Sequence, residues 1–475
     1  MGVVRRIRHW LNERIGLDTI WKKAGKHPVP PETTSNRYGW LYVLGFVTLA
    51  LFFLQILTGV ALVSRYIPSS GSAYQSVQII TEEDWSGRMI RAMHYWGASL
   101  MILFMALHLG RVFLTGSYKF PREVNWLTGV LLLVLVLAMG FTGQLLRWDQ
   151  DGLWGVVVAA QYAGRVPLIG DAFQRFILGG DTVGGATLSR FFSLHVVILP
   201  LLILGLVGVH LALVLYHGIS ERPRAGNPVD PATYKERYQA MLDREGRPYW
   251  PDAAWQELLA VAVVVAGILA LAVFVGPRPL GLPPDPSIVP THPRPDWFLV
   301  WYYSLLAIKP RGWEDATMVY LPIVVFLLLV ALPFFRSKGE RALSQRPTAV
   351  VATVALALAL GSLTLVGYRG PWVPDFETRP FTAQDLPDAT SEVIEGARVY
   401  YDMGCQYCHA AAGRGGPWGP DLTHVTNRMR HTTITDRIVR GIGDMPAYRG
   451  RITAEQLAAL LEFLAAAPQL DHDRQ

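Results

Sequence analysis

The chain has 475 residues, 51% of them hydrophobic and only 17% charged, where an ordinary soluble domain carries about 25% charged residues. That excludes a disordered chain and argues against a purely soluble enzyme; at about 150 residues per domain the length suggests about three domains. The two cysteines stand together in Cys405-Gln406-Tyr407-Cys408-His409, which excludes a disulfide scaffold.

Residues 1–37 are basic, amphipathic and Trp-containing, and the first apolar run begins near Gly39, so no cleavable signal is expected. Apolar runs follow at about 39–63, 93–114, 126–146, 191–216, 255–275, 317–335 and 348–367. Each approaches or exceeds the about 20 residues that a helix needs to cross a bilayer. The expected fold is all-α, an integral membrane bundle with four spans in 38–217 and three in 253–368, joined by a loop over 218–252. The segment 150–180 is too polar for a further span; its Gly, Asp and Pro suggest short surface helices.

The loops divide the charge. Segments 1–37, 111–125, 218–250 and 336–347 hold 21 Lys and Arg, against 11 in 64–91, 147–190 and 277–315. The positive-inside rule makes the first set, with the N-terminus, cytoplasmic. An odd number of spans then puts the C-terminal part outside a bacterial cytoplasmic membrane. Residues 391–475 carry 9 basic and 10 acidic residues, so the net charge of +6 sits on the cytoplasmic loops. Anionic lipid accounts for it better than nucleic acid.

Residues 369–390 are Pro-rich and polar and read as a linker to a small soluble domain, 391–475. Cys-x-x-Cys-His is the attachment signature of a c-type haem: the thiols of Cys405 and Cys408 add to the vinyl groups, and His409 becomes an axial ligand. A redox dithiol, or half of a zinc site completed by His424 and His431, are the alternatives. Met445-Pro446 stands where a sixth ligand would be expected, with Met429 as a rival. The domain resembles class I cytochromes c along its whole length. A helix from Ser391 to Met403 leads into the motif, Gly419-Pro420-Asp421-Leu422 is similar to the family's turn, and a helix from Thr453 to Leu464 closes the domain. The resemblance implies that the Pro420 carbonyl orients His409 and that His409/Met445 ligation serves electron transfer.

Four histidines fall within apolar spans: His94 and His108, 14 apart, and His195 and His210, 15 apart. At about 100° per residue these offsets are about −40° and +60°, so each pair shares a helix face with its members about 21 Å apart along the axis. Two such helices hold two non-covalent bis-His b haems, one near each membrane surface; for a lone histidine, a satisfied core role would be the competing explanation. Gly45 and Gly59 on the first span, and Gly129 and Gly143 on the third, repeat the 14-residue spacing, as close approach of a porphyrin to backbone requires. Arg91 and Arg190 precede ligands near the outer surface, where they pair with propionates or serve as ordinary interfacial arginines.

Here the chain resembles known proteins. Residues about 36–220 resemble cytochrome b6 and about 248–368 its companion, subunit IV; together they are similar to cytochrome b of quinol:cytochrome c reductases. The segments that carry the likeness are RAMHYWGASLMILFMALHLGRVFLTGSYKFPREVNWLTG, GFTGQLLRWDQDGLW and TLSRFFSLHVVILPLLILGLVGVH. The fourteen residues between His195 and His210 are of the b6 type. With the topology above, His94 and His195 ligate the outer haem, and His108 and His210 the inner one.

Pro295-Asp296-Trp297-Phe298 is similar to the family's PEWY quinol-site motif. The resemblance implies that Asp296, one methylene shorter than the usual Glu, takes quinol protons at an outer site; its alternative role is to cap the helix after Pro295. Tyr302 or Tyr303 lines that site. Arg147 departs from the family, which has Pro before WDQ. At the inner site His217 is the candidate proton donor, or an interfacial histidine without a role, with Asp18 and Lys22 as weaker candidates. Val43 stands where cytochrome b6 has a haem-tethering cysteine, so no covalent extra haem is expected there. The implied activity is quinol:cytochrome c oxidoreduction with proton translocation. Its implied partners are a separate Rieske iron–sulfur protein, menaquinol or ubiquinol, and a downstream cytochrome c or terminal oxidase, in a homodimeric assembly. A non-catalytic dihaem conduit with a cytochrome c outlet is the alternative.

Overall fold

The computed structural model describes residues 27–35, 38–180, 183–284, 294–310, 312–370, 380–382, 384–386, 388–416, 419–442, 445 and 447–472. Asp18, Lys22 and Pro446 lie outside the described residues. The strands among those described are two-residue pairs, Pro28–Val29 with Arg247–Pro248 and Ala410–Ala411 with Arg414–Gly415; the rest of the regular structure is helical.

In chain order the membrane part runs α1 (Leu44–Val63), the short α2 (Ala73–Glu82), α3 (Trp85–Leu114), α4 (Glu123–Leu145), the short α5 (Gln150–Gly164) and α6 (Gly170–Leu178), α7 (Gly185–His217), the short α8 (Tyr234–Glu245), α9 (Tyr249–Phe274), the short α10 (Trp297–Ile308), α11 (Ala316–Phe335) and α12 (Pro347–Arg369). Seven of these are long and apolar enough to cross a bilayer, and they coincide with the seven apolar runs. α3 starts eight residues before its apolar run because Asp84 caps it, accepting from the Ser86 N–H at 2.9 Å. Asp149 caps α5 in the same way, through the Gly152 N–H at 2.9 Å.

The spans are apolar all round, as lipid-facing helices are. Phe274 and Phe335 are 86% and 83% exposed on their outer faces. Inside, Val47, Leu51, Phe52, Met101, Ile102, Val136, Ile203 and Ile268 draw α1, α3, α4, α7 and α9 around one core.

α7 is not a regular helix. Leu194–Ile198 is a π-helical turn, followed two residues later by Pro200. Pro200 has no N–H to donate and its ring crowds the carbonyl four residues back, and the wider turn relieves both. The same arrangement recurs in α11, where a π turn over Ala316–Tyr320 precedes Pro322. A π turn absorbs one extra residue, so the 15-residue separation of His195 and His210 behaves as 14 and the two rings share a face more closely than a regular helix allows.

Beyond the linker lie α13 (Ser391–Asp402), α14 (Cys405–Cys408), α15 (Val425–Arg428), α16 (His431–Arg440) and α17 (Ala454–His472). α13 and α17 cross at Gly396, where a Cβ would strike the Ala459 backbone. Tyr400, Leu460, Phe463 and Leu464 fill the core beside the crossing. Cys408 packs onto the membrane part, against the cluster of Leu145, Trp148, Leu153 and Trp154.

Candidate functional site

The four membrane histidines each face one of the four spaced glycines. A Cβ on Gly59 would stand 3.3 Å from His94 Cε1, on Gly45 3.1 Å from His108 Cε1, on Gly129 3.6 Å from His210 Cε1, and on Gly143 2.6 Å from His195 Cε1. The glycines make room for imidazole rings, and so for whatever those rings hold, between tightly packed helices. The His94 and His195 rings meet edge to face with centroids 6.3 Å apart.

Thr58 Oγ1 lies 2.8 Å from His94 Nδ1, Thr128 Oγ1 2.8 Å from His210 Nδ1 and Thr142 Oγ1 3.1 Å from His195 Nδ1. His195 Nδ1 also lies 3.1 Å from the Met139 carbonyl. With Nδ1 engaged in this way, Nε2 is the ring nitrogen left for a metal. Such a donor set suits iron held from both faces of a porphyrin. The reading of the histidines as mere core residues does not account for four glycine cradles.

His94 and His195 line a cavity of about 270 Å³ that also takes in Gly59, Gly143, Arg91, Gln144, Arg147, Arg278, Asp296 and Phe298. Asp296 stands at the N-terminus of α10, but its side chain makes no cap hydrogen bond. Its carboxylate is ion-paired with Arg278, and its N–H donates to Gln144 Oε1 at 2.9 Å. The capping role is therefore not what this side chain does. Pro295 leads into the helix, and Trp297, edge-on to Phe298, stays outside the cavity lining while Phe298 enters it.

Arg91 is buried, with Nη1 donating to Thr81 Oγ1 at 3.0 Å and Nη2 to the Arg278 carbonyl at 2.9 Å. Arg190 is not brought to this cavity. Its guanidinium lies over the Phe176 ring, 5.4 Å from the centroid, and donates to the Arg175 and Phe176 carbonyls, because α6 packs beside the start of α7. Arg147 takes a place in the cavity wall instead, with Nε 3.6 Å from Asp149 and Nη2 3.8 Å from Asp151. Neither Tyr302 nor Tyr303 lines the cavity; the Tyr302 hydroxyl donates to the Thr317 carbonyl at 2.9 Å.

At the other end of the bundle His217 closes α7. Its carbonyl accepts from Arg122 Nη2 at 3.1 Å and its ring lies 4.9 Å from that of Tyr216. Arg111, three residues after His108, is half-buried with its charge 4.2 Å from the Tyr42 ring centroid, and its buried Nε has no hydrogen-bond partner.

The soluble domain encloses a second cavity, of about 480 Å³, lined by Cys405, Cys408, His409, Gly419, Pro420, Met429 and Met445 and closed on one side by Trp148, Leu153 and Val183 of the membrane part. His409 Nδ1 lies 2.8 Å from the Pro420 carbonyl, as expected. Gly419 backs onto the His409 ring so closely that a Cβ there would collide with it. Burial lowers the His409 pKa, keeping the ring neutral and able to bind a metal, and pushes the Cys405 thiol up to about 12. His424 and His431 do not line the cavity, so neither is placed to complete a zinc site with the two cysteines. Met445 and Met429 both reach it.

The sequence reading missed Arg278, Gln144, Asp151 and the three threonines. Thr58, Thr128 and Thr142 each immediately precede one of the spaced glycines, a repeated Thr-Gly pair that was open to view.

The cytochrome b/b6/petB family model matches residues 31–218, the cytochrome b(C-terminal)/b6/petD model residues 283–377, and the model of the cbb3-type cytochrome c oxidase subunit III residues 391–464. The menaquinol:cytochrome c reductase cytochrome b subunit of Geobacillus thermodenitrificans is 38% identical over 221 residues, 46% of this chain and 99% of that protein. Cytochrome b6 of Heliobacterium mobile is 42% identical over 214 residues, 45% of this chain and 99% of that protein. A solved structure titled as a hyperthermophilic respiratory complex III aligns over 98% of both chains with a TM-score of 0.64 at 23% identity, which extends the likeness of fold to the whole molecule.

Proposed function

Because the chain belongs to the cytochrome b/b6 family, we propose that it is the fused cytochrome b and c subunit of a quinol:cytochrome c oxidoreductase. The observation that carries this reading is the joining of Asp296, its partner Arg278 and the His94–His195 pair in one apolar cavity. A proton acceptor and a metal-binding pair thus share the space a quinol ring would enter.

In this reading His94 and His195 hold an outer b haem, His108 and His210 an inner one, and Cys405, Cys408, His409 and Met445 a covalent c haem. When bound, these groups supply one-electron relays. The remaining work falls to the chain. Asp296, ion-paired with Arg278, accepts a quinol hydroxyl proton. Phe298 and the apolar wall exclude water, and Arg91 and Arg147 keep positive charge beside the cavity. At the inner end His217 supplies a proton to quinone. A Rieske iron–sulfur partner takes one electron of each quinol while the other crosses the membrane, and the return of electrons to the inner site couples oxidation to proton translocation. The soluble domain lies on the outer side, with the N-terminus cytoplasmic, in a dimeric complex that delivers electrons to a soluble cytochrome c or an oxidase.

The test is quinol-dependent reduction of a soluble cytochrome c by the full chain, with and without a Rieske protein. Turnover is expected only with the Rieske protein, and Asp296→Asn is expected to lower it on the order of 10²-fold. Haems that quinol cannot reduce even with that partner present would make the chain a conduit and Asp296 structural.

A further inference from the structure

A row of charges runs from the outer cavity toward the surface. Arg278 donates through Nη1 to Asp296, and through Nη2 to the Asp151 carboxylate at 2.8 Å and the Arg294 carbonyl at 3.2 Å. Asp296 and Arg278 line the cavity; Asp151 does not. The Asp151 side chain is 25% exposed, that of Asp296 14%. One guanidinium therefore bridges an inner carboxylate, where substrate would sit, and an outer one nearer water.

Asp151 is placed by structure rather than by chance. It stands in the first turn of α5, whose dipole favours negative charge. Its Oδ1 accepts from the Arg294 N–H at 3.2 Å. The charged and titratable groups around it are Asp149 and Arg147 from the α4–α5 junction, Arg278 and Arg294 from the segments between α9 and α10, and Tyr303 from α10. Burial, with Asp149 adding, raises the Asp151 carboxyl above its ordinary value in spite of Arg278 and Arg147. Burial acts to lower the Arg278 pKa, but Asp296 and Asp151 outweigh it and keep the guanidinium charged.

We propose that Asp151 and Arg278 form with Asp296 an outward proton relay for quinol oxidation. This rests on the quinol-oxidising reading above. A quinol O–H bond breaks and an O–H bond forms on the Asp296 carboxylate. That bond breaks in turn as the proton passes to the Asp151 carboxylate, which releases it to outer water. The relay carries protons alone; the electron pair leaves quinol singly, to the Rieske partner and the outer b haem. Arg278 is a positioning residue: always charged, with two separate N–H donors, it keeps both carboxylates at one place and holds Asp151 when Asp296 is neutral.

The test compares the purified complex with its Asp151→Asn, Asp151→Glu and Arg278→Lys variants. Quinol:cytochrome c turnover per b haem is read from about pH 5 to 9, so that loss of folded protein does not enter. Asp151 must be ionised to accept, so turnover should fall as pH drops through its raised pKa. Asp151→Asn is expected to lower kcat about tenfold with KM for quinol unchanged and to remove that acid limb, and Asp151→Glu to restore both. Arg278→Lys is expected to lower kcat, since an ammonium cannot fork to both carboxylates. Wild-type turnover and pH profile in Asp151→Asn would overturn the relay alone. So would a pH-independent deficit that Glu does not rescue. An unmodified complex that oxidises no quinol would overturn the underlying reading and the relay with it.

Discussion

Four glycines and three threonines decide how the membrane histidines can be used. The glycine contacts differ in tightness: a Cβ would be 2.6 Å from His195 at Gly143 but 3.6 Å from His210 at Gly129. Gly143→Ala is therefore expected to cost the outer b haem, while Gly129→Ala keeps the inner one; b-haem content per chain, by pyridine haemochrome, distinguishes the two. Thr58 fixes the His94 ring through Nδ1 at 2.8 Å. Thr58→Val should weaken outer-haem retention about tenfold, and Thr58→Ser should restore it. At the same scale Arg414 is ion-paired with Asp385 at the end of the linker, and with Thr382 it holds the Asp385 carboxyl well below its ordinary value. A depressed carboxyl pKa stabilises the folded state above about pH 4, the unfolded value, and that contribution is lost as pH falls through the folded one. Asp385→Asn should lower the unfolding temperature of the soluble domain at pH 7 and leave it little changed under strong acid, as followed by calorimetry on the full chain.

At the scale of elements, the spans and the haem-attachment motif were legible because each depends on residues close in sequence. A run of apolar residues, a 14-residue repeat and a Cys-x-x-Cys-His keep their meaning whatever surrounds them. The π turn over Leu194–Ile198 was legible only in part: Pro200 was visible, but the 15-residue spacing was read as a 60° offset of a regular helix. Its role can be tested by deletion. Removing Val197 from the π turn should leave a regular helix with 14-residue spacing and both b haems in place. Removing Leu206 from the regular part of α7 should rotate one histidine by about 100° relative to the other and lose a b haem. Equal haem content in the two deletions would contradict this account. The Arg278 network was not legible, since Asp151 and Arg278 are 127 residues apart and meet only when α5 and the segment after α9 are packed together. Arg190 stands near a ligand in sequence, but the placing of its guanidinium against α6 depends on packing between elements and was not legible either.

For the whole molecule, the arrangement is a membrane bundle with two histidine levels and a soluble domain seated over one end. The c-type cavity is closed by Trp148, Leu153 and Val183 of the membrane part, at the end where His94 and His195 lie. Asp296 and the His94–His195 level thus lie toward the end that carries the Cys405–His409 motif, and the His108–His210 level lies toward the other end of the bundle. The most direct test is a reduced-minus-oxidised spectrum of the purified complex with pyridine haemochrome quantification, before and after addition of quinol. Two b haems and one c haem per chain, all reduced by quinol and blocked by an outer-site inhibitor, are the predicted result. One b haem or none would contradict the assignment of the histidine pairs and with it the proposed function.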